Sequence, residues 1–168
     1  MGARMTAITS LTEEQGLFEL TLLNAETSHK QFDDVVVMGL SRGIPPEIIT
    51  RLQSLWVATK SIAGEIVEIG KIIVQKIFDF IKANPTLTLG LAIGAAVGVL
   101  VAGIPFLGPL LAPLSASLSM LYGAAVGVSI DSGTSSADPM YLAIELAKKF
   151  FELLKEIFLA VTGYIAAS

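Results

Sequence analysis

"GLAIGAAVGVLVAGIPFLGPLLAPLSASLSMLYGAAVG", Gly90 to Gly127, decides how the rest of this 168-residue chain is read. It contains no charged side chain, and the uncharged run extends from Ala83 to Ile130 without Asp, Glu, Lys, Arg or His. Pro105, Pro109 and Pro113 lie in its middle, and proline does not continue a helix from within. The stretch therefore divides into two apolar segments, residues 86–104 and 110–130, joined by a turn around "IPFLGP". As helices, 18 residues of either segment would span roughly 27 Å, close to the hydrocarbon thickness of about 30 Å.

The small residues are ordered. Gly90, Gly94 and Gly98 lie four apart on one face of the first segment, and Ser115, Ser119, Gly123 and Gly127 do the same on the second. In lipid, burying leucine against leucine gains little, because the acyl chains are equally apolar; helices associate by close backbone approach, which small residues permit. Each interior glycine weakens a helix by about 1 kcal/mol relative to alanine. Two matched ridges of this kind predict membrane helix packing.

Composition agrees. Hydrophobic residues make up 53 % of the chain and charged residues 15 %, against about 25 % in ordinary soluble domains. Mean hydropathy is +0.72. The net charge of −4 gives no basic footprint for nucleic acid. The absence of cysteine excludes disulfides, thiolate metal sites and cysteine nucleophiles. His29 is the sole histidine, so neither a metal site nor a Ser-His-Asp arrangement can be assembled around it. "GLAIGAAVG" lacks the G-K-[ST] ending and the preceding strand of a phosphate loop. No enzyme, no cofactor, no metal and no small-molecule substrate is expected.

Outward from the hairpin, the flanks read as amphipathic. Residues 1–43 form an acidic helical segment, with "SLTE" (Ser10 to Glu13) as a capping box and "FDDVVVMGL" as a second short helix. "SRGIPP" (Ser41 to Pro46) punctuates it. Over residues 44–83 one long helix is expected. Ile48, Leu52, Leu55, Ile62, Ile66, Ile69 and Ile73 recur at spacings of four and three, a heptad-like seam suited to oligomerisation. After the polar loop "DSGTSSADP" (Asp131 to Pro139), residues 139–166 read as a C-terminal amphipathic helix. Trp56, Tyr122, Tyr141 and Tyr164 are candidate bilayer-interface anchors.

The pattern over residues 46–165, an uncharged Gly-rich helical hairpin between amphipathic helices, resembles the hydrophobic hairpin of colicin-type pore-forming domains. It is also similar to the glycine-zipper segments of secreted bacterial membrane-permeabilising effectors. The resemblance lies in architecture, with no shared diagnostic motif. It implies an all-α fold, a membrane helical hairpin flanked by long amphipathic helices, assembled as a homo-oligomer in a lipid bilayer.

The expected function is a pore or channel in which the hairpin anchors and packs. The alternative is a non-conducting scaffold with the hairpin as a bilayer wedge, and the third is a soluble helical oligomer that shelters the hairpin. No secretory signal is read. A spanning hairpin would place both termini on one side, the cytoplasmic side by the lysines that flank it (Lys82, Lys148, Lys149).

Overall fold

In the computed structural model, which describes residues 11–122 and 139–165, α1 (Glu13–Ser28) opens on a capping box two residues beyond the Ser10–Glu13 pair. Thr12 Oγ1 accepts from the Gln15 N–H at 3.1 Å, and Gln15 Oε1 accepts from the Thr12 N–H at 2.9 Å. α2 (Phe32–Ser41) is the short helix expected of "FDDVVVMGL". The chain then turns through Gly43, whose φ of +83° suits glycine, and Pro46 begins α3 (Pro46–Trp56) in the first turn, where its missing N–H is not needed.

The single long helix over residues 44–83 is overturned. α3 ends at Trp56, and two short strands follow, β1 (Lys60–Ile62) and β2 (Glu65–Val67), before α4 (Ile69–Ala83). The strands pair antiparallel, Lys60 with Val67 and Ile62 with Glu65. Ala63 and Gly64 turn between them with φ of 55° and 82°. Two positive φ values make the kind of tight turn whose twist matches that of the strands. The β-branched Ile62, Ile66 and Val67 around Gly64 favour extension, and tertiary packing completes the choice. Reversing the chain brings α3 and α4 face to face, so Ile48, Leu52 and Leu55 share one core with Ile69 and Ile73. Where they cross, the Gly70 N–H donates to the Ala58 carbonyl at 3.0 Å, and a Cβ at Gly70 would overlap the Leu55 carbonyl oxygen.

α4 and the next helix, α5 (Leu89–Gly103), form the centre. α4 buries Ile69, Ile72, Ile73, Val74, Ile77, Phe78, Phe80 and Ile81, and turns Gln75 and Asp79 outward, hydrogen-bonded at 3.1 Å. α5 is capped by Thr88 Oγ1 and buries Ala92, Ile93, Ala95, Ala96, Val97 and Leu100. α1 and α3 flank α4.

α6 (Leu107–Tyr122) begins earlier than the prolines suggest. Pro109 falls in its first turn, and Pro113 is accommodated inside it. The expected single C-terminal helix is broken at Phe151 (φ −95°, ψ 7°) into α7 (Pro139–Phe150) and α8 (Glu152–Ala160). A short 3-10 turn, Thr162–Tyr164, follows. The chain closes on the strand pair: Ile165 bridges to Ile62, and the Ala63 N–H donates to the Tyr164 carbonyl at 3.1 Å. The fold is mainly helical, with eight α-helices among the described residues.

Candidate functional site

α5 and α6 form the uncharged hairpin, joined by Ile104, Pro105 and Phe106. Three helices cover α5. α4 lies on one side, α6 on a second, and α7 makes its most extensive contact. Aromatic side chains hold the α7–α8 cover in place. Phe80 of α4 packs on Phe150 and Phe151, with ring centroids 5.3 and 5.6 Å apart. Phe106, in the turn of the hairpin, meets Phe158 of α8 edge-on at 5.7 Å. Edge-to-face pairs of this kind add about 0.5–1.5 kcal/mol beyond the area they bury. "IPFLGP" is therefore held beneath α8, with Ile104 and Leu107 fully buried.

Between α5 and α7–α8 runs a groove of about 550 Å³. Gly98, Val99, Ala102 and Gly103 form its floor, with Ile144 and Phe151, and Glu145, Lys148, Lys149, Glu152 and Lys155 rim it. The Lys155 stem lies across Gly103, where a Cβ would stand 2.8 Å from its Cδ. Lys148 pairs with Glu145 at 3.5 Å. Part of the small-residue ridge of α5 thus faces an amphipathic helix, loosely.

The two ridges expected to pack together are placed differently. Gly94 is buried, and Gly90 and Gly98 are half-buried. Ser115 and Ser119 face solvent, while Leu107, Leu111, Leu114 and Leu118 form the buried face of α6. Water explains the choice: burying a leucine is worth about 1.5–3 kcal/mol, so the leucine ridge turns inward. In lipid that gain vanishes and close approach of small residues decides instead. Gly123 and Gly127 lie outside the described residues. Ser117 is buried and accepts from Arg51 Nε of α3 at 3.0 Å, a tie between the hairpin and the N-terminal half with no signature in the sequence.

The proposed oligomer seam serves the chain's own core. Ile48, Leu52, Leu55, Ile62, Ile69 and Ile73 are all buried, and only Ile66, 64 % exposed, is left out. Among the anchor candidates, Trp56 is buried, edge-on to Phe32 at 5.5 Å, with Lys71 Nζ 5.7 Å from its ring centroid. Tyr164 is at the surface, its hydroxyl 3.4 Å from Glu13 Oε1. Tyr141 is half-buried on α7, and the side chain of Tyr122 lies outside the described residues. His29 is exposed, and no cluster of metal-ligating side chains occurs among the described residues.

Sequence reasoning missed the phenylalanine cluster. Phe80, Phe106, Phe151 and Phe158 each sit on a buried or turn position of a different pattern, and only the fold brings them together. Among the described residues no helix is both long and apolar enough to cross a membrane; α5 has 15 residues and α6 has 16. No family model, curated protein or solved structure matches the chain.

Proposed function

We propose that the chain is a membrane-inserting protein whose α5–α6 hairpin is covered in this conformation and enters a bilayer when α7–α8 leaves it, assembling there as an oligomeric pore. One observation carries the reading. α6 has two competing faces, a leucine ridge buried here and a serine ridge exposed here, and the two solvents favour opposite choices. A hairpin serving only as a soluble core has no need of an uncharged outer face. Because six of the seven seam residues are buried within one chain, the oligomer contact in lipid falls to the small residues of the hairpin.

A second reading, a non-conducting wedge in one leaflet, is favoured by helix length. α5, 15 residues from its Thr88 cap to Gly103, is roughly 23 Å long, short of a hydrocarbon core of about 30 Å. Purified protein with dye-loaded liposomes separates the readings. Association that resists carbonate, with dye release, supports the pore. The same association with no release at any lipid composition replaces it by the wedge. Full extraction by carbonate overturns both and leaves the soluble oligomer.

A further inference from the structure

The outer face of α7–α8 carries more apolar surface than the fold uses. The two helices run on almost as one: the Phe151 N–H donates to the Ala147 carbonyl, and the Lys155 N–H to the Phe151 carbonyl, both at 2.9 Å. Ala143, Ala147, Phe151, Leu154 and Phe158 are the buried face. Directly beside it stand Leu142, Leu146, Phe150 and Leu153, exposed by 50, 42, 37 and 56 %. Three leucines, with the outer edge of Phe150, whose ring also packs on Phe80, form one ridge along about three turns, contiguous with the face that covers the hairpin.

The charges on these helices are also ordered. At roughly 100° per residue, the sequence round the helix is Lys155, Lys148, Glu152, Glu145, Glu156, Lys149. The carboxylates occupy the middle of the polar face and lysines stand at both borders. By helical angle Lys149 adjoins Leu142 and Leu153 and Lys148 and Lys155 stand at the other border; all three reach the rim of the groove over α5. A helix lying in a bilayer interface uses this order. Border lysines lay their methylenes along the acyl chains and raise their ammonium groups to the phosphates, while carboxylates point to water. With three lysines and three glutamates, this face gains nothing net from an anionic surface.

We propose that this face of α7–α8 is the surface by which the protein docks on the headgroup–acyl boundary of a phospholipid bilayer, through apolar burial rather than net charge. It rests on the reading of α5–α6 as an insertion hairpin and supplies the step that uncovers it. α7, which meets the lipid, is the helix that covers α5, and its ridge and its buried face are neighbours; α8 packs chiefly on α1 and leaves it in the same movement. As α7–α8 rolls into the interface, lipid replaces α5 as the partner of Ala143, Ala147 and Phe151. The underfilled groove beneath marks the seam along which the two part.

The test is sedimentation of the full chain with phosphatidylcholine vesicles, at low salt and at high salt. The ridge variant Leu146→Gln/Leu153→Gln is compared with Val37→Gln/Val57→Gln, which removes two still more exposed apolar side chains elsewhere, at 69 and 72 %. Far-UV circular dichroism and urea midpoints check that each variant stays folded. The ridge variant is expected to bind at least tenfold more weakly than wild type, the control to bind like wild type, and neither salt nor added anionic lipid to change the result by more than about twofold. Wild-type binding with an unaffected ridge variant overturns the docking face and leaves the hairpin reading standing. A wild type that is dimeric in solution, with a monomeric ridge variant, assigns the face to a second copy and overturns the lipid as its occupant. No vesicle binding by wild type overturns this face and the insertion reading together.

Discussion

Loosening the α7–α8 cover should speed membrane entry, and Phe158→Ala is the substitution that tests it. Phe158 is fully buried on α8 and meets Phe106 of the hairpin turn at 5.7 Å, with the rings 78° apart. Truncating a buried phenylalanine to alanine costs about 3–5 kcal/mol, of which about 0.5–1.5 kcal/mol is the aromatic pair. If α7–α8 opens as a unit, most of that loss falls on the opening equilibrium. A loss of about 3 kcal/mol raises the open population about a hundredfold. Ile48→Ala is the matched comparison: Ile48 is equally buried but sits on α3, away from the cover, and its truncation costs about 2–5 kcal/mol. Dye release from liposomes, followed by stopped flow, gives the rate, and urea unfolding monitored through Trp56, the one tryptophan, gives the stability. Phe158→Ala should accelerate release at least tenfold, while Ile48→Ala, at similar lost stability, changes it by less than threefold. Equal acceleration by both would mean that entry follows global unfolding, and the idea of a separable cover would be wrong.

Four further substitutions test the fold that positions the hairpin. Gly70→Ala sets a Cβ against backbone, with the Leu55 carbonyl carbon 2.8 Å and the Ala58 nitrogen 3.1 Å away, so the α3–α4 crossing must shift. We expect a loss of about 2–3 kcal/mol in urea unfolding, and a midpoint at or above wild type would sink the close-crossing account. Thr12→Ala removes the side chain that caps α1 and should lose about 1 kcal/mol by the same measurement, with no change in vesicle binding. Gly108→Ala, at a helical position with nothing within 4 Å of the added Cβ, should leave stability unchanged or raise it by up to about 1 kcal/mol; Gly64→Ala, at φ +82°, should lower it by about 1 kcal/mol, and the same sign for both would refute the backbone argument.

The hairpin and its flanks were legible because their signals are one-dimensional. Missing charge marks Ala83 to Ile130, and Pro46, Gly43 and Asn84 punctuate elements that do begin and end there. The long helix was not legible, because Ile62, Ile66 and Ile69 keep a helical spacing while the chain folds back on itself between Ala63 and Gly64. A seam of isoleucines looks the same whether its partner is another chain or the next helix. The choice of buried face on α6 was hidden for a different reason. "LGPLLAPLSASLSM" holds both a leucine ridge and a serine ridge, and the solvent, which the sequence does not state, selects between them. The phenylalanine contacts join α4, the hairpin turn and α8, so no local pattern announces them.

The order of elements along the chain has a kinetic consequence. α5 and α6 precede α7–α8, so during synthesis the hairpin is complete before its cover exists. At about 5–20 residues per second, translation from the end of α6 to the end of α8 takes on the order of 2 to 8 s. The Ile62–Ile165 bridge, which joins residues about 100 positions apart, closes later still. For those seconds the uncharged helices have only α3, α4 and each other to shelter them. A nascent chain near a membrane and one released into water thus begin from the same exposed intermediate, and what surrounds the ribosome enters the partition between them.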